Sequence, residues 1–143
     1  MTHLTTPPNS LLTIDARFNG PARSGHGGVS GGRFAALVDA RRAIVDFLAP
    51  IPLDEPLSGT RQGEAAHVDG PDGPVAAVTR LAGPLPTGPF GRLAAGEVAR
   101  AEASWLDARD GDHVAPTCFA CGHRRTDDSG LGLRPGPVAG LAL

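Results

Sequence analysis

Apolar residues fall into short clusters separated by glycine- and proline-rich breaks, and their spacing changes along the chain. Residues 1–10 are polar and proline-bearing and are expected to be disordered. Leu11-Leu12-Thr13-Ile14 is short and β-prone, which predicts a first strand. A glycine-saturated loop from Asn19 to Gly32 follows. From about Gly28 to Ala40 the period turns helical, with Phe34, Leu37 and Val38 on one side. Gly28, Gly32, Ala35, Ala36 and Asp39 lie close to a second stripe at spacings of three and four. A stripe of such small residues implies close contact with a sheet, another helix or a ligand. Glycine inside a helix lowers its propensity, so tertiary packing has to hold this one.

Ala43–Ala49 is apolar and partly β-branched and ends at Pro50-Ile51-Pro52, a strand closed by a proline turn. Leu57 to Val68 is polar and weakly alternating and predicts a single solvated edge strand. Asp69-Gly70-Pro71-Asp72-Gly73-Pro74 is a turn signal, and Val75–Leu81 reads as the return strand of a hairpin. Gly83–Gly88 breaks the structure, and Pro89 suits a first helical position. Phe90, Leu93, Ala94, Val98, Ala101, Trp105 and Leu106 recur at helical spacing up to about Arg109, where Asp110-Gly111-Asp112 ends the helix. The order strand, helix, three strands, helix gives an α+β fold, a sheet wrapped against the early helix. The domain reading is a disordered 1–10, a strand–helix–strands unit over 11–82, a linker helix over 83–112, and a cysteine-containing loop with a Gly/Pro-rich tail over 113–143.

Composition narrows the function classes. A chain of 143 residues supports one domain with a core. Much of its apolar content is alanine, and 5 Phe and 1 Trp are its only large aromatics, so the core buries little area per residue. A second subunit, most simply a second copy, is therefore expected. A net charge of -2 with scattered basic residues gives no electrostatic footprint for nucleic acid or an anionic membrane. The 2 cysteines are too close in sequence to build a secretory disulfide framework. No signal-peptide pattern and no apolar run of membrane-spanning length is present, so a soluble, cytoplasmic protein is expected.

Three segments together resemble actinobacterial hotdog-fold, thioesterase-like proteins. They are Phe18-Asn19-Gly20-Pro21 leading to Gly27-Gly28, the stretch Leu48-Ala49-Pro50-Ile51-Pro52-Leu53-Asp54-Glu55-Pro56-Leu57, and Pro116-Thr117-Cys118-Phe119-Ala120-Cys121-Gly122 followed by Gly130-Leu131 and Pro135-Gly136-Pro137-Val138. The resemblance implies a hotdog-like antiparallel sheet wrapped on a central helix. It also implies binding or hydrolysis of acyl-CoA thioesters in sites formed between paired units. Such proteins continue past the cysteine segment into further strands, so the resemblance implies a truncated chain carrying an incomplete sheet.

His26-Gly27-Gly28 further resembles the start of the central helix in phenylacetyl-CoA-type hotdog thioesterases, which have an upstream Asn and a helical acidic residue. Asn19 and Asp39 are the matching positions here, with Asp39 13 places after His26. What this implies is an oxyanion held by the Gly27 and Gly28 amides, with Asp39 as general base or nucleophile. His26 or Asn19 would orient the carbonyl or the water. The bland alternative is a flexible glycine loop with an exposed histidine. No metal or other cofactor is expected in this chemistry. Two further readings stay open. The chain is a non-catalytic acyl-thioester-binding or dimerisation module, or a small zinc module in which His113 and His123 join Cys118 and Cys121. Arg124, Arg125 and Arg134 are either partners for coenzyme A phosphates or solvated charges.

Overall fold

In the computed structural model, residues 9–84, 92–108 and 115–138 are described. The elements are β1 (Asn9–Thr13), α1 (Gly27–Ala35), β2 (Ala43–Phe47), β3 (Pro56–Gln62), β4 (Ala65–Gly70), β5 (Gly73–Arg80) and α2 (Ala95–Ala108). A short 3-10 turn, Ala36–Val38, extends α1. The five strands form one sheet in the order β1-β3-β4-β5-β2, and every neighbouring pair is antiparallel. This is the expected α+β arrangement, an antiparallel sheet wrapped on a central helix.

The buried stripe of the helical segment is Ser30, Phe34, Leu37 and Val38. It packs on the sheet face formed by Leu57, Ala66, Val68, Ala76 and Val78, with Ile14, Ile51 and Val75 completing the core. Phe34, Leu37 and Val38 were the apolar side expected from spacing. The small-residue stripe behaves otherwise: Gly28, Gly32, Ala36 and Asp39 are all exposed.

The sheet differs from the sequence expectation over Leu57–Val68. That stretch contains two strands, β3 and β4, joined by a turn at Gly63-Glu64. Gly63 has φ +64°, and glycine at the first central position suits a type II′ hairpin turn. Alternation is faint because two inward positions are small, Gly59 and Ala66. A Cβ at Gly59 would stand 2.8 Å from Leu37 Cδ2, so leucine on the helix fills the space a strand side chain would take.

α2 confirms a helix within the predicted Phe90–Leu106 stripe, although Phe90 lies outside the described residues. Ala101 is buried, while Leu93, just ahead of α2, and Val98 remain exposed. β2 is an edge strand, and Ile44 and Phe47 within it and Leu48 just beyond it are exposed.

Ser30 is fully buried, and its hydroxyl has no hydrogen-bond partner among the described residues. It lies against the loop backbone, where a Cβ on Gly25 would come within 2.8 Å of its Oγ. Ser30→Ala removes a buried polar group that has no partner among the described residues. Urea denaturation is expected to show a change between zero and about 1 kcal/mol of added stability. A loss above about 1 kcal/mol would mean the hydroxyl has a partner.

Candidate functional site

The glycine loop ahead of α1 is braced rather than loose. His26 N–H donates to the Phe18 carbonyl at 2.7 Å, Gly20 N–H to Ser24 O at 2.8 Å, and Gly25 N–H to Ile51 O at 2.9 Å. The Ser24 hydroxyl accepts from Ile51 N–H at 2.9 Å. These bonds fix where α1 begins.

His26 is the N-cap of α1. Its Nδ1 accepts the Val29 N–H at 3.3 Å, so the ring proton in this arrangement sits on Nε2. The Ser30 N–H is used by the His26 carbonyl at 2.9 Å. That is the first regular bond of the helix; of the four donors ahead of it, the His26 and Val29 N–H groups are satisfied. The Gly27 and Gly28 N–H groups have no partner among the described residues, and both residues are exposed. Neither carries a side chain to shield them. Gly28 also leaves room for the cap, because a Cβ there would sit 3.1 Å from His26 Cε1.

The cysteine-containing segment docks beside this helix start. The Phe119 ring meets Phe18 edge-on at 4.9 Å and the His26 ring at 6.0 Å. Phe119 N–H donates to Asn19 O at 2.8 Å. Asn19 itself is buried; its Nδ2 donates to Gly20 O at 3.2 Å and Thr117 Oγ1 at 3.3 Å. Its Oδ1 accepts from Arg125 Nη1 at 2.9 Å. The Asn19 side chain thus spends its hydrogen bonds on tying the two loops together.

Arg125 is the hub of that tie. Its side chain is only 9% exposed, and it donates to the carbonyls of Arg17 at 2.6 Å and Thr117 at 3.2 Å and to the Ser129 hydroxyl at 2.7 Å. Its Nε lies 2.7 Å from Asp127 Oδ1. The Asp127 carboxyl is held below the usual range, chiefly by the Ser129 hydroxyl and then by Arg125. This contribution is present above the ordinary aspartate range and fades as the pH falls through the lowered value. Arg125 is thus committed internally; Arg124 and Arg134 are exposed.

Cys118 is buried and Cys121 half-buried, and both are free thiols. The Cys118 sulfur accepts from Ala120 N–H at 3.4 Å. Burial, followed by the neighbouring Cys118, pushes the Cys121 thiol up from its ordinary value. Among the described residues no three His, Cys, Asp or Glu side chains converge as a metal site. His113, part of the zinc reading, lies outside the described residues.

Asp39 stands at the far end of the helical segment in left-handed backbone, with φ 48° and ψ 49°. It borders a cleft of about 850 Å³ lined also by Ala36, Arg41, Arg42, Glu64 and Arg80. At 1.5–2 Å of rise per residue, the helix separates Asp39 from His26 by roughly 20 Å. The sequence-expected residues therefore form two places in one chain: His26, Gly27 and Gly28 at the helix start, and Asp39 at its end. The Arg125–Asn19 tie and the arginines of the Asp39 cleft were not read as such from the sequence, since they join residues distant along the chain.

No protein-family model matches the chain, and no curated protein shows significant similarity to it. Among solved structures it is similar to the crystal structure of a thioesterase superfamily protein, with 23% sequence identity and a TM-score of 0.37. The similarity covers 49% of this chain and 47% of that one, so the match spans about half of that protein.

Proposed function

We propose that the chain handles acyl-CoA thioesters, with the thioester carbonyl received by the Gly27 and Gly28 amides. The observation that carries this reading is the pair of N–H groups at the exposed start of the central helix, unpartnered among the described residues. Fixed backbone donors at a helix start stabilise a developing oxyanion without reorganising. The helix dipole adds to them. His26 caps the helix and sets the direction of these donors, and Asn19 braces the loop that carries them. Asp39 acts as general base on water or as nucleophile. Because Asp39 lies at the opposite end of its own helix, it serves a carbonyl held by a paired unit. The β2 edge, unpaired among the described residues, with Ile44, Phe47 and Leu48 exposed, supports a second copy as that unit.

The test is thiol release from a panel of acyl-CoAs by the purified chain, followed across its dilution range. The reading predicts release that falls on dilution as copies separate. The second reading, a non-catalytic acyl-thioester-binding module, is favoured by the distance between Asp39 and the free amides. It predicts binding without thiol release at any concentration. The zinc module has no comparable support; stoichiometric zinc lost on Cys118→Ser would restore it.

A further inference from the structure

The cleft beside Asp39 is lined by three arginines against two carboxylates, an excess of positive charge. Arg41 and Arg42 follow the left-handed turn at Asp39, and Arg80 stands directly opposite Ala43, the residue after Arg42. Arg42 is held in place by its Nη1, which donates to Ala82 O at 3.0 Å and Pro84 O at 2.7 Å. Two carboxylates, Asp39 and Glu64, share the lining. Among the described residues no ion pair joins either of them to an arginine of the cleft. An anion bound in this lining is attracted by all three arginines. Guanidinium forks match phosphate oxygens two at a time.

We propose that this cleft binds the phosphate groups at the carrier end of the acyl thioester, through Arg41, Arg42 and Arg80. The inference rests on the acyl-thioester reading and adds to it a place for the nucleotide part of the ligand. The cleft, at about 850 Å³, falls within the size range of small-molecule and cofactor pockets. Asp39 lines the same cleft, so a carrier anchored there leads its acyl end toward the carboxylate. Arg125 is excluded from this role, because its guanidinium is spent on Asn19, Arg17, Thr117, Ser129 and Asp127.

Calorimetry on the full chain compares acetyl-CoA, acetyl-pantetheine, ADP and inorganic phosphate. Arg41→Ala and Arg80→Ala are the test variants, because Arg42 also ties down two carbonyls. Each variant is expected to weaken acetyl-CoA and ADP about tenfold while leaving acetyl-pantetheine unchanged. Rising salt is expected to weaken the same two ligands. Acetyl-CoA binding that ignores both variants and salt overturns the cleft assignment and leaves the thioester reading standing. Arginine-dependent ADP binding with no binding of either thioester upholds the cleft as a phosphate site and removes the thioester reading. Inorganic phosphate bound as tightly as ADP would overturn the carrier assignment in favour of a bare oxyanion site.

Discussion

Asp39→Asn is expected to lower kcat for acyl-CoA hydrolysis by about 10²–10⁴-fold, with little change in KM. The substitution keeps the size of the side chain and removes its ability to take a proton or attack a carbonyl. It is also conformationally mild. Asp39 sits in left-handed backbone, a region that asparagine enters at least as readily as aspartate. The residue is exposed and makes no ion pair among the described residues, so the unfolding midpoint should not move. Activity and stability are thereby separated in a single variant. Unchanged turnover in Asp39→Asn would remove Asp39 from the chemistry.

Arg125→Met is expected to cost about 2–4 kcal/mol in urea denaturation. Methionine keeps much of the apolar volume but leaves Asn19 Oδ1 and the carbonyls of Arg17 and Thr117 without their shared donor. Arg125→Lys should recover little, because one ammonium cannot span acceptors arranged for a planar fork. Hydrogen exchange should localise the damage: amides that depend on the docked loop, Phe119, Leu131 and Leu133, lose protection before the sheet does. A cost below about 0.5 kcal/mol would mean that the loop docks through Phe119 and Phe18 alone.

The sequence made some parts of this architecture plain and hid others for physical reasons. β2, β5 and the Gly70–Gly73 turn follow from β-branched runs and glycine-proline punctuation. The helix announced its buried side through Phe34, Leu37 and Val38. β3 and β4 read as one strand in the sequence because Gly59 and Ala66 occupy inward positions, and Leu37 supplies from the helix the volume they lack. The Gly63-Glu64 turn also lacks the Asn-Gly or Asp-Gly signal that marks most two-residue hairpins. His26 stands out in the sequence beside the glycines, but its capping role does not, since serine, threonine, aspartate and asparagine are the usual caps. The tie between Asn19 and Arg125 spans 106 positions, and no periodicity reports a contact at that separation. The charged cleft is similar, because Arg80 joins Arg41 and Arg42 only when β5 pairs with β2.

Everything proposed for the helix start depends on the Gly27 and Gly28 amides receiving a thioester carbonyl. The most direct test is an amide NMR titration of the chain with an acyl-CoA analogue in which a methylene replaces the thioester sulfur and the carbonyl remains. The Gly27 and Gly28 N–H resonances are expected to shift strongly and to saturate together with the rest of the site. Saturable binding that leaves both resonances unmoved would contradict that role.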